Sequence, residues 1–289
     1  MNASHQYKYT SSIQEIPRRK VFDRHDFYHR FYKKNLPVIF ENLASNWAVV
    51  NENSIDRFVS EHGAESFYFI TGCENNPLEK TTVSDLIQRF RDGGPEHVSF
   101  YPYSERQQNF SQMVNLDFLN RYTHSLCLRL PTTAFLSGKT AWTRLHQENQ
   151  SNFCIGIEGK KLWRLYPPTI TKELNPPEPS FLYRDGSSFN PFEDSESDLY
   201  SASGLTGILN RGDVLYNPPF YWHAVKNLTE SFMISHRWID PLKMLHQHPI
   251  EFLKTLRPQK PSVLESIRLC KLDFNLLLVE FHGLSNLIH

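Results

Sequence analysis

Apolar residues in the first third of the chain recur at helical spacing and then give way to short β-rich runs. The stretch DRHDFYHRFYKKN, from Asp23, sets Phe27, Phe31 and Tyr32 on one helical face, and Pro37 then opens PVIFENL, which predicts a short strand. SIDRFVSEHG repeats the arrangement, with Ile55, Phe58 and Val59 on one face and Gly63 as a helix stop, before ESFYFITG as a strand. TTVSDLIQRFRDGG predicts another capped helix. After Gly94 come short segments rich in β-branched and aromatic residues: EHVSFYPY, TTAFLSG, NFCIGIEG, KKLWRLYPP, GDVLYNPP, HAVKNL and SFMISHRWI. Turn residues separate them, the signature of an antiparallel sandwich or barrel. Residues Thr169 to Leu209, rich in Pro, Ser, Asp and Glu, predict a long functional or mobile loop between two groups of strands.

From Pro249 onward the pattern predicts two or three helices with broad apolar faces. Residues 1–20 are polar and without period, which predicts a loosely held arm. The expected organisation is therefore this arm, a main domain over 21–245 and a C-terminal helical region over 246–289. Phe252, Leu253, Leu256, Val263, Ile267 and Leu272 are among the apolar residues of that last region, more than a peripheral helix pair buries against its own domain.

Composition narrows the class. Thirty-one basic residues balance thirty-one acidic ones, so overall charge gives no signal for nucleic acid or an anionic membrane. The four cysteines, Cys73, Cys127, Cys154 and Cys270, form no CxxC pair and suggest neither a zinc ribbon nor a disulfide framework. With a polar N-terminus and no long apolar run, the expectation is a soluble, cytoplasmic protein with free thiols.

The candidate chemistry lies in TRLHQENQSNFCIGIEGKKLWRLYPP. If His146 lies on a strand, the two-residue period puts His146 and Glu148 on one face and turns Gln147 away. His223, at the start of a later strand, could join them as the third ligand of a metal with open positions. The triplet alone is weak, because thirteen histidines predict roughly one His-x-Asp/Glu by chance. On Lys161, Trp163 and Leu165 the alternation predicts a shared inward face. A lysine there either snorkels to the rim or meets an anion. Thr143 and Asn152 offer a hydroxyl and an amide nearby, and Gly212 and Asp213 make a turn before the rigid double proline that leads to His223.

Together HQENQSNFCIGIEGKKLWRLYPP and GDVLYNPPFYWHAV resemble the core of the JmjC family, in particular its small cupin-like protein hydroxylases. The resemblance rests on His146 with Glu148, Asn152, Lys161, Thr143, and Gly212 with Asp213, Trp222 and His223, and it spans roughly residues 20 to 240. It implies a mainly β fold with flanking helices around a double-stranded β-helix, or jelly-roll. It implies a dioxygenase using Fe(II), 2-oxoglutarate and O2, with iron on His146, Glu148 and His223 and the co-substrate's distal carboxylate on Lys161. Thr143 and Asn152 would assist, and a tyrosine before the first ligand would complete the pocket, with Tyr101 the candidate and Tyr103 next. Two departures are Glu148, where Asp is more common, and His236, where a smaller polar residue is often found.

The implied reaction is hydroxylation of a C–H bond, foremost on a protein or peptide side chain, with succinate and CO2 as co-products. A small-molecule hydroxylase is the main alternative; a lysine demethylase and a non-catalytic cupin-like metal-binding protein follow. The resemblance also suggests a homodimer through the C-terminal helices.

Overall fold

The computed structural model describes residues 13–70, 78–176, 179, 183–185, 190–192 and 204–257. Sixteen strands are present among the described residues: β1 Gln14–Glu15, β2 Arg18–Arg19, β3 Val38–Phe40, β4 Ser66–Ile70, β5 Leu78–Thr82, β6 His97–Tyr101, β7 Leu128–Arg129, β8 Thr133–Ser137, β9 His146–Glu148, β10 Ser151–Glu158, β11 Lys160–Tyr166, β12 Tyr183–Asp185, β13 Leu205–Asn210, β14 Val214–Asn217, β15 Trp222–Asn227 and β16 Ser231–Ile239. One main sheet runs β1-β13-β11-β15-β9-β12 and the other runs β2-β3-β14-β10-β16-β8-β6 with β7 also on β16, while β4 and β5 form a separate two-stranded sheet. From β8 to β11, and again from β13 to β16, successive strands alternate between the two sheets. That alternation winds the chain into the expected double-stranded β-helix.

Each face of the larger sheet is covered, so β10 and β16 are buried along almost their whole length. Phe153, Ile155 and Ile157 on β10, with Phe232, Ile234 and Trp238 on β16, pack against the helical layer, including Phe27, Phe31, Phe58, Leu86 and Phe118. The alternate residue Cys154 turns inward with Met233 and Leu215, meeting Trp163 and Leu165 of the smaller sheet. A third cluster, with Leu145, Tyr166, Ile170 and Trp222, covers the outer face of the smaller sheet.

The predicted helices lie where their apolar faces require. Asp23 caps the first, accepting from the Asp26 amide, and the chain continues as a wider π-helical segment over Phe27–Tyr32 that buries Phe27, Phe31 and Tyr32. Ser54 and Thr82 cap Ile55–His62 and Val83–Arg91 through their side-chain oxygens.

Two expectations about organisation are corrected. Residues 14–19 are not a free arm: β1 pairs in parallel with β13 and β2 with β3. Ile16 is buried in the inner core, and the Arg18 guanidinium lies 3.4 Å from Asp213. Two-residue strands carry no period by which a sequence could reveal them. The region 169–209 also contributes two strands to the smaller sheet. β12 pairs with β9, whose edge amides and carbonyls need a partner, and β13 pairs with β11. Residues 1–12 and 258–289 lie outside the described residues, as does most of the predicted C-terminal helical region.

The tight β10–β11 turn depends on Gly159, whose φ is +74° and whose missing Cβ leaves room for the Glu230 carbonyl. Gly159→Ala is expected to cost about 1–3 kcal/mol in urea denaturation, from left-handed backbone strain plus the clash. An unchanged midpoint would mean that the turn relaxes.

Candidate metal centre

The antiparallel pairing of β15 with β9 sets His223 opposite His146. The turn before β15 is clasped to β9 from both sides. Phe220 donates its amide to the Glu148 carbonyl at 2.7 Å, and the Gln147 side-chain amide donates to the Phe220 carbonyl at 2.7 Å. Gln147 therefore faces away from the site, while His146, Glu148 and His223 converge, one donor atom of each lying within 4.8 Å of the others. The two imidazole rings have centroids 4.1 Å apart.

Backbone carbonyls orient both rings. His146 Nδ1 lies 2.7 Å from the Arg144 carbonyl and His223 Nδ1 lies 3.0 Å from that of Tyr221. A neutral ring donating from Nδ1 presents the lone pair of Nε2, the form in which histidine binds a metal. Burial, then the neighbouring His146, holds the His223 pKa well below the usual value, so the His223 ring stays neutral. Glu148 is buried too, and the Arg237 guanidinium approaches its carboxylate at 3.6 Å. Two imidazoles and a carboxylate on one side of the pocket suit a divalent iron with positions left open.

Lys161 lies on the same inner surface. Burial pushes its pKa down to about 7, and its ammonium donates to Asn227 Oδ1 at 2.7 Å. Among the described residues no carboxylate lies within ion-pair distance of Lys161. A buried cation held only by a neutral amide is set to receive an anion from outside the chain. Asn152 faces the same interior, in register between Asn217 and Arg237, and accepts from the Ser235 hydroxyl at 2.8 Å. Thr143 sits beside β15, its hydroxyl oxygen accepting from the Val225 amide at 2.9 Å, which leaves its proton to donate.

Tyr101 departs from the expectation. An irregularity in β6 between Val98 and Tyr101, with Phe100 at φ +58°, puts both Val98 and Tyr101 on the helical side of the sheet. The Tyr101 hydroxyl lies 2.9 Å from His62 Nδ1, and Tyr103 donates to Asn53 Oδ1 at 2.9 Å in the same layer. Phe100 takes the inward place instead, 4.6 Å from the Arg237 guanidinium. Tyr101→Phe is therefore expected to change the apparent 2-oxoglutarate affinity less than about twofold while costing about 1 kcal/mol of stability. A tenfold weakening of that affinity would restore Tyr101 to the pocket.

His236 also turns outward. It lies opposite Phe153 in the strand register, its Nδ1 lies 2.9 Å from the Thr132 hydroxyl, and burial lowers its pKa to about 4. Sequence reasoning did not single out Asn227 or His97 as pocket residues. His97 lies near enough to Lys161 for that charge, after burial, to lower its own pKa to about 4. Their assignment to the pocket depends on strand register, which Asn152 and Lys161 signal only once their partners are known.

Two histidines and a carboxylate that could hold a metal ion, inside a double-stranded β-helix with a buried lysine nearby, are the features of the cupin class. The chain belongs to the cupin-like domain family, whose profile matches residues 24–243. It is 28% identical over 239 residues to lysine-specific demethylase 8 of Danio rerio, covering 78% of this chain and 58% of that protein. It is 36% identical over 236 residues to JmjC domain-containing protein D of Dictyostelium discoideum, covering 72% of this chain and 53% of the relative. A third relative is 2-oxoglutarate and iron-dependent oxygenase JMJD4 of Danio rerio, 21% identical, with 80% of this chain and 65% of the relative aligned. The chain thus spans between half and two thirds of the length of these relatives. No helix among the described residues is long and apolar enough to cross a membrane.

Proposed function

We propose that this chain is an Fe(II)- and 2-oxoglutarate-dependent oxygenase that hydroxylates a C–H bond on a protein or peptide side chain. The observation that carries the reading is the pairing of the His146, Glu148 and His223 set with Lys161, a buried cation held by a neutral amide in the same interior. Bound iron would supply the oxidising chemistry, coupling decarboxylation of 2-oxoglutarate to succinate and CO2 with insertion of an oxygen atom from O2. The chain's residues do the rest. His146 and His223 keep their Nδ1 protons on backbone carbonyls and present Nε2, Glu148 contributes the negative charge, and Lys161 anchors the distal carboxylate. The two apolar sheet faces exclude water around them.

The protein substrate rests on the relatives' names, which include lysine- and arginine-specific demethylases. Demethylation uses the same hydroxylation directed at an N-methyl carbon, so it is the nearest second reading. The test is direct: protein loaded with iron(II), ascorbate and 2-oxoglutarate should release succinate. Peptide arrays from the host proteome should then yield a product heavier by one oxygen, or one shortened by a methyl group. Absence of succinate with every peptide would reject the oxygenase reading.

The scattered cysteines support a reducing, intracellular setting, which we retain as part of the proposal. We also retain a homodimer through the C-terminal region. Helices Pro241–Gln247 and Pro249–Thr255 leave Leu242, Leu245, Ile250 and Leu253 at least half exposed. Light scattering at micromolar concentration should give a dimer mass, and a monomer would reject it.

A further inference from the structure

Beyond the metal centre, one other group of side chains among the described residues gathers three ligand types. His124, Cys127 and Asp240 each offer a donor atom within 4.8 Å of the other two. The fold makes this meeting a matter of register. β7 and β16 are antiparallel, with Leu128 opposite Ile239, so the next step outward sets Cys127 opposite Asp240. A turn then closes through the Cys127 amide and the His124 carbonyl at 3.0 Å, folding His124 back until its Nε2 is 3.2 Å from Asp240 Oδ1.

Asp240 is fixed from several directions. Its carboxylate caps the helix Pro241–Gln247 by accepting from the Lys243 amide at 3.0 Å, and it accepts from the Tyr32 hydroxyl at 3.0 Å. The Lys243 ammonium is engaged by the Tyr216 hydroxyl at 2.6 Å and lies 4.1 Å from the centre of the Tyr32 ring. A histidine–aspartate hydrogen bond at a helix cap needs no thiol beside it. It is Cys127, half-buried and held at the same point, that changes the chemistry available.

We propose that His124, Cys127 and Asp240 form a second metal site, separate from the one on β9 and β15, for a thiophilic divalent cation of the zinc class. Imidazole, thiolate and carboxylate are the donor types of such sites, and a thiolate disfavours magnesium and calcium. Bond lengths of about 2.0–2.3 Å to a tetrahedral ion place neighbouring donors roughly 3.3–3.7 Å apart, so closing the cluster needs movements of about 1 Å. His124 and Asp240 also line a cavity of about 860 Å³, together with His25, His29, Tyr122 and His246, which would give an ion a route in and water a place to bind.

Coordination replaces the Cys127 S–H bond with a metal–sulfur bond and releases that proton to solvent. On His124 the ring proton moves from Nε2 to Nδ1, giving up the bond from the Leu126 amide at 3.2 Å. The ion would then tie β7 and the turn before it to the end of β16, the strand that also carries Ser235 and Arg237 into the pocket.

The test uses the full chain with the first site removed by His146→Ala and His223→Ala, stripped of metal and titrated with cobalt(II). One equivalent should bind with the intense near-ultraviolet absorption of thiolate-to-cobalt charge transfer. That band should vanish with Cys127→Ser and weaken at least tenfold in affinity with His124→Ala, a change at an exposed residue that leaves the fold intact. Zinc should raise Tm of the same double variant by roughly 5 °C at a hundredfold excess over Kd, and at the same zinc concentration this shift should fall to about half or less with His124→Ala. No charge-transfer band at saturating cobalt, or a band that survives both Cys127→Ser and His124→Ala, overturns the proposal. Neither readout depends on oxygenase activity.

Discussion

Alanine at His146 or at His223 is expected to lower succinate formation by more than roughly a hundredfold while leaving the protein folded. Each change removes one of three donors from the proposed site, where among the described residues His146, Glu148 and His223 are the group that converges. The structural cost should be modest. His146 is only half-buried and its Nδ1 contact is local, to Arg144 two residues back. His223 is buried, yet it is neutral, so its loss leaves a small cavity and an unpaired Tyr221 carbonyl, worth about 1–2 kcal/mol. Metal content, succinate release and a thermal melt measured together separate the outcomes. Turnover within a few-fold of the parent in either variant would remove these residues from the metal site.

Replacing Lys161 should act on the co-substrate instead. With Lys161→Ala the distal carboxylate would be buried without a cation, a loss of about 3 kcal/mol, or roughly a hundredfold in the 2-oxoglutarate requirement at unchanged iron binding. The pH dependence gives an independent readout. In the folded protein burial lowers the lysine pKa from 10.5 to about 7. A dicarboxylate needs the ammonium form, so above about pH 7 binding must be accompanied by proton uptake, and affinity should fall by up to tenfold per pH unit.

The same shift acts on stability with a worked sign. Between about 7 and 10.5 the unfolded chain holds more protons than the folded one, so stability rises with pH across this window and is lost as pH falls through it. Lys243 carries a shift of the same direction and size and contributes a parallel slope. The Lys161 share is therefore the difference in slope between the parent and Lys161→Met. Equal 2-oxoglutarate affinity in Lys161→Ala and parent would transfer the anchoring role to another cation, with Arg237 the first candidate.

Much of the fold was legible because its signals are local. The caps at Asp23, Ser54 and Thr82, the apolar helical faces that follow them, and the turn at Gly159 each depend on neighbours in the chain, so a sequence displays them directly. The placement of His146 and Glu148 on one face, with Gln147 on the other, likewise follows from strand alternation. So does the inward turn of Lys161, Trp163 and Leu165. The short parallel pairings of β1 and β2, and the β12 and β13 strands within an acidic, proline-containing stretch, were not legible. Their partners lie far along the chain, and pairing through the backbone leaves little mark on side-chain composition.

By itself the sequence determined the helices, the strand-rich core and the shared face of His146 and Glu148, because each rests on residue type and spacing within a few positions, whereas His223 reaches them only through the pairing of β15 with β9. Only the tertiary structure decided which way β6 and β16 face. An irregularity between Val98 and Tyr101 turns Tyr101 to His62 and Phe100 to Arg237, and the register of β16 on β10 sends His236 outward and Arg237 inward. A single-residue offset inverts every side chain beyond it, and that offset is set by packing against distant strands and helices, not by the residues in the strand itself. The approach of Cys127 to Asp240 has the same origin: it exists only because β7 and β16, more than a hundred residues apart in sequence, pair in one register.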